Sequence, residues 1–245
     1  MPTGVATEIV HRYDGGGDDR VAGKRPLIEH ESVSGPQHGH GALRSPMHQD
    51  VLLFWFGSAD LHALPSPEVQ ARWFTGGPAF DAEVAARFGA SLDTPDAVEA
   101  GATDEAGVLA AIVTFDQFPR NIFRGDARAF AYDARALALS RRMLAAGWDR
   151  TIGLTQRSFA YLPFMHHEHR ATQEESMRLY TQLAADASGT PAAANFEKNL
   201  LFAGKHRDIV ARFGRFPGRN LALGRTETPD EDAWVAAGGE SFGQR

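Results

Sequence analysis

The side chains able to hold an anion or move a proton fall into three short segments. The first is Phe115-Asp116-Gln117-Phe118-Pro119-Arg120-Asn121-Ile122-Phe123-Arg124-Gly125. An apolar stretch runs into it. Pro119 is expected to stop that helix, leaving Arg120, Asn121 and Arg124 on a turn anchored by Phe118 and Phe123. The second runs from Arg212-Phe213-Gly214-Arg215-Phe216-Pro217-Gly218-Arg219-Asn220 to Arg225, repeats the order Phe-Pro then Arg-Asn, and carries no acid. Guanidinium groups without a local counterion must find a distant carboxylate or an anionic ligand. Should the two segments meet, Arg120, Arg124, Arg215 and Arg219 form one positive pocket, with Asn121 and Asn220 beside them.

The third segment leads from Gln156-Arg157 through Tyr161-Leu162-Pro163-Phe164-Met165 to His166-His167-Glu168-His169-Arg170. Imidazole titrates near neutrality, so His166 is a candidate acid-base group, oriented by Glu168 or Asp116. Arg157 joins the candidate ligand-binding arginines. Zinc-type helical pairs place their ligands one turn apart, and H-E-x-x-H is absent, so no metal ligand is assigned. Phosphate-loop, dinucleotide and nucleophile-elbow motifs are absent too, and no cofactor is implied. A purely structural reading stands beside these: Asp116 pairs with an arginine, Asn121 satisfies loose backbone groups, and distant acids neutralise the rest.

The elements that must position these residues are helices. Ser66-Pro67, Thr94-Pro95, Thr190-Pro191 and Thr228-Pro229 each join a capping hydroxyl to a proline suited to the first helical position. Thr228 with Glu231 and Thr172 with Glu175 fit the reciprocal capping box, so a turn is expected over His166–Arg170. Apolar stripes run through Ala136, Leu139, Met143 and Ala146, through Met177, Tyr180, Leu183 and Ala187, and through Phe196, Leu200, Ala203 and Val210. The dense run Val108, Leu109, Ile112, Val113 and Phe115 belongs at the centre. Phe54-Trp55-Phe56 and Trp73-Phe74 are expected to pack between helices. No alternating β-branched run appears, and the fold class is all-α.

Composition narrows the function classes. Hydrophobic residues form 43% of the chain, enough for a sizeable core, and the net charge of −6 has the wrong sign for a nonspecific nucleic-acid binder. There is no cysteine, which removes disulfides and thiolate chemistry. No apolar run reaches a membrane span and no secretory signal is visible, so the expected location is the cytoplasm, with neither membrane nor nucleic acid as partner. Residues 1–46 are glycine-rich, polar and poor in apolar side chains, and read as a disordered extension before one helical domain over 47–245.

Four motifs stand in register: Leu53-Phe54-Trp55-Phe56-Gly57; Asp116-Gln117-Phe118-Pro119-Arg120-Asn121 with Arg124-Gly125; Tyr161-Leu162-Pro163-Phe164-Met165-His166 with Glu168 and Gln173; and Arg212-Phe213-Gly214-Arg215-Phe216-Pro217 with Arg219-Asn220. In order and spacing the chain resembles, over roughly residues 48–243, the bacterial domain-of-unknown-function family nine-two-four. That resemblance implies an all-helical fold similar to tetratricopeptide-like superhelices and implies no activity. It adds Gln173 to the candidate ligand-binding residues. The family pattern usually has histidine between the proline and arginine of the last motif, where this chain has Gly218. A catalytic histidine there would make its loss costly, whereas one that only packs is replaceable.

Three functions compete. In the first, Arg120, Arg124 and Arg219 hold a small anionic molecule while His166 moves a proton, Asp116 and Glu168 orienting it. In the second, a tetratricopeptide-like groove grips a peptide. In the third, the polar motifs are a buried ion-pair network that fixes helix packing.

Overall fold

The computed structural model describes residues 47–240 and 242, the side chains of residues 74 and 75 excepted. The expected extension over 1–46 lies outside them. The helices are α1 (Met47–Phe56), α2 (Pro67–Thr75), α3 (Gly77–Phe88), α4 (Pro95–Gly101), α5 (Glu105–Asp116), α6 (Phe118–Ile122), α7 (Asp133–Ala145), α8 (Leu154–Met165), α9 (Arg170–Asp186), α10 (Ala193–Phe213) and α11 (Pro229–Ala236), joined by loops and short 3-10 turns. Among the described residues there is no strand, and no helix is long and apolar enough to cross a membrane. The all-α class stands.

Helix α5 organises the core. Asp104 caps it by accepting from the Gly107 N–H at 2.8 Å, and every residue from Gly107 to Asp116 is buried. A helix apolar all round has no face to give to water, so other helices must enclose it. Helices α1, α6, α7 and α8 all pack on α5, and α9 lies between α8 and α10. In a tetratricopeptide stack each repeat touches mainly its neighbours; here one central helix touches several. The Phe54, Trp55 and Phe56 rings face inward, Trp55 meeting Phe118 and Phe159 edge-on. Of the expected stripes, Ala136, Leu139 and Met143 are buried on α7, while Ala146 lies exposed past its end.

Local rules explain most boundaries. Ser66 caps α2, and Thr228 with Glu231 closes a full capping box on α11. Gly153 opens α8 where an added Cβ would meet the Gln156 Oε1 at 2.7 Å and the Leu61 carbonyl at 2.9 Å, so only glycine fits. Four expectations are corrected. Thr190 does not cap α10: that helix begins at Ala193, past Pro191, and the Thr190 hydroxyl donates back to the Ala187 carbonyl. Pro119 does not leave Arg120 on a turn: the chain breaks at Gln117 and Pro119 sits in the first turn of α6, where its missing N–H costs nothing. Thr172 caps no helix. α9 starts earlier, at Arg170 after an extended His169, so Thr172 is buried inside its first turn. The loop is therefore shorter than expected, His166 to His169. Thr94 precedes α4 without making a side-chain cap.

Candidate functional site

Helix ends deliver the polar centre. Asp116 is the last residue of α5, Arg120 lies on α6, Asp133 begins α7, His166 follows α8, and Arg219 closes the 3-10 turn Pro217–Arg219. Gly214, with φ 74°, turns the chain out of α10 toward that last element, a left-handed conformation that suits glycine.

Asp133 is the junction. Arg120 donates to its two oxygens at 2.8 and 3.0 Å in the bidentate manner of guanidinium and carboxylate, and also to the Asp116 carbonyl at 2.7 Å. Arg219 donates to the same carboxylate at 3.3 Å and to the His166 carbonyl at 2.8 Å. Its guanidinium lies 4.6 Å from the ring centres of both Phe130 and Phe216. The centre is nearly closed: side-chain exposure is 1% for Asp116, 9% for Arg120, 10% for Arg219, 15% for His166 and 18% for Asp133.

His166 is held on both sides. Its Nδ1 lies 2.8 Å from the Asp116 Oδ1, and Gln117 donates to the other Asp116 oxygen. Burial alone would push the Asp116 carboxyl up. His166 and Arg120 beside it, with the hydrogen bonds from His166 and Gln117, outweigh burial and hold it well below the usual carboxylate range. An ionised carboxylate only accepts, so the His166 proton sits on Nδ1 and Nε2 carries the lone pair. Burial first, then Arg120 and Arg219, lower the imidazole against the pull of Asp116, which keeps the ring neutral at pH 7. The turn itself is clamped: Gln173 donates to the Met165 carbonyl at 2.7 Å and the His167 carbonyl at 2.6 Å, on either side of the His166 carbonyl taken by Arg219.

The candidates do not all converge. Asp116, Arg120, His166, Gln173 and Arg219 come together. Asn121 donates to the Gln117 carbonyl and so satisfies backbone. Arg124 pairs with Asp81, Arg157 with Asp186, and Arg215 with Glu231 by two bonds of 2.6 and 2.7 Å. The single positive pocket expected of Arg120, Arg124, Arg215 and Arg219 is thus replaced by separate ion pairs. Glu168 does not touch His166: it accepts from Arg225 and from the Phe216 N–H, pinning the arginine-rich loop instead. Asn220 is fully buried with neither amide atom partnered. Two residues escaped the sequence reading. Asp133 looks like any acid in the first turn of a helix. His206, on the buried face of α10, was a polar residue in an apolar stripe, and that was its only signal. Two cavities, of about 390 Å³ beside α1, α4 and α5 and about 330 Å³ between α10 and the end of the described chain, include none of these residues in their walls.

A family model described as "Bacterial protein of unknown function (DUF924)" matches residues 51–239, which contain every residue of this centre. The chain belongs to that family. A solved structure described as a protein of unknown function, ATU0120, from Agrobacterium tumefaciens shares 32% of its residues with this DUF924 chain. The superposition has a TM-score of 0.65 and covers 78% of this chain and 97% of the other. No curated protein matches the chain. Family and neighbour fix ancestry and fold without assigning a ligand or a reaction. In this DUF924 member Gly218 is half-buried in the 3-10 turn between Pro217 and Arg219.

Proposed function

We propose that the polar centre is an acid-base site for a small anionic molecule, with His166 as the proton-transfer group. The observation that carries this reading is the Asp116–His166 pair. A buried carboxylate fixes the tautomer and orientation of a neutral imidazole, and among the described residues no protein group is bonded to its Nε2. That is the arrangement a general base needs. Arg219 is the anion holder: its bond to Asp133 is the longer one, and its flanking aromatic rings fix the orientation of the planar guanidinium for an incoming carboxylate or phosphate. Arg120 serves differently, as the structural lock of the centre. The near closure of these side chains favours a small molecule over a peptide groove.

Thermal unfolding in the presence of inorganic phosphate or succinate tests the reading. Either anion is expected to raise the Tm of the wild type saturably, because a ligand that binds only the native state stabilises it. The folded Arg219→Met variant is expected to lose that shift. Equal shifts in both proteins, or none in either, would remove the anion site.

A further inference from the structure

The His166 ring has a neighbour that nothing above uses. His206, on α10, lies with its ring centre 6.0 Å from that of His166, the two planes tilted by 51°. Its Nδ1 is 2.8 Å from the Phe202 carbonyl, one turn back along the same helix. A carbonyl can only accept, so this Nδ1 carries the proton and Nε2 the lone pair. The ring is fixed by Phe216, edge-on at 5.5 Å, and by Phe242, stacked at 3.6 Å. Burial, with His166 and the two arginines nearby, pushes its imidazole down to about 3, so it stays an acceptor at neutral pH. The two histidines thus share a state. Each has Nδ1 committed to a fixed acceptor, and among the described residues neither Nε2 is bonded to a protein group.

Resting on the reading of His166 as a base, we infer that His206 is a second catalytic residue, that the two imidazoles hold one water molecule between their Nε2 atoms, and that the reaction is a hydrolysis. Two acceptors call for a donor with two protons. A fully deprotonated carboxylate offers none, and a metal cation is opposed by Arg120 and Arg219. Ring centres 6.0 Å apart leave room for one oxygen about 2.8 Å from each Nε2 when both nitrogens face the gap. Ordered water also suits the turn that holds His166. Gln173, which clamps it, has its Oε1 buried and, among the described residues, without a protein partner, and the same holds for both amide atoms of Asn220, next to Arg219. Such groups are as a rule satisfied by water. In the step itself one water proton passes to His166 Nε2 while the oxygen bonds to the electrophilic carbon or phosphorus of an anionic ester or amide. The bond to the leaving oxygen or nitrogen breaks with its electron pair, and the leaving atom takes the proton back from His166.

The test uses the unmodified full-length chain. Long-range ¹H–¹⁵N spectra of ¹⁵N-histidine protein at pH 7 report each tautomer, with His206 identified by through-space contacts to the Phe216 and Phe242 rings and His166 by contact with His206. A crystal structure fine enough to place waters reports the bridge. The expected result is Nδ1–H in both rings and one water within about 3.2 Å of both Nε2 atoms. A His206 ring protonated at Nε2, or no shared water, overturns the inference and leaves the reading of His166 intact. A His166 ring protonated at Nε2 overturns both.

Discussion

Arg120 and Arg219 share Asp133 but do not depend on it equally. Arg120 makes two short bonds to that carboxylate and a third to the Asp116 carbonyl, all within a buried centre. Removing it leaves Asp133 only the longer bond from Arg219 and Asp116 only His166 and Gln117, and breaking a buried pair costs about 3–5 kcal/mol. Arg120→Met is therefore expected to lose that much stability in urea titration. Arg219→Met leaves Asp133 paired and gives up hydrogen bonds to charged groups, about 1.5–3 kcal/mol. Equal losses would contradict the division of roles. The two histidines set the pH response. Both are lowered in the folded protein, His206 to about 3, by burial first. In the unfolded chain each binds a proton near pH 6.5, roughly, so acid favours the unfolded state. Their contribution is complete above that pH and is lost as pH falls toward the folded values. Between pH 6 and 5, above the carboxylate range, stability is expected to fall by up to about 1.4 kcal/mol per pH unit through His206, with His166 acting in the same direction. His206→Leu should make the slope shallower; an unchanged slope would show that His206 does not stay neutral.

At the scale of elements, the strongest local signals were the most legible. Thr228 and Glu231 close the capping box, and the Glu231 carboxylate, held down to about 2 chiefly by the Arg215 hydrogen bond, also ties α11 to the arginine-rich loop. Thr228→Ala is expected to cost about 1 kcal/mol. Glu231→Ala should cost more, because it removes the cap and releases Arg215 together; the two Tm values, measured side by side, decide the order. Thr172 misled because capping rules are local. The start of α9 is set by a long-range clamp, Gln173 and Arg219 gripping three successive carbonyls at residues 165–167. Pro119 misled for the opposite reason. Proline disfavours a helix interior, although α8 holds Pro163 in its last turn, and it suits a first turn; sequence could not say which side of the break Pro119 lay on.

Over the whole molecule, the core was readable and the site only half so. The run Val108 to Phe115 announces a central helix by hydrophobicity alone, and its end carries Asp116, the carboxylate that holds His166. Convergence of Arg120, His166 and Arg219 was visible as repeated chemistry at helix ends. Neutralisation by distant acids was a stated alternative, but not which acid, because Asp133 stands 13 residues from Arg120 and 86 from Arg219, and no spacing rule spans such distances. The result is a locally balanced centre: Asp116 and Asp133 against Arg120 and Arg219, with His166 neutral and open at Nε2. Carbethoxylation by diethyl pyrocarbonate, resolved for each histidine by mass spectrometry, tests that openness directly, since the reagent attacks an unprotonated, reachable imidazole nitrogen. His166 in the folded chain at pH 7 is expected to be modified, more slowly than the exposed His169, and to be protected by phosphate. A His166 that stays unmodified until the chain unfolds would contradict the account.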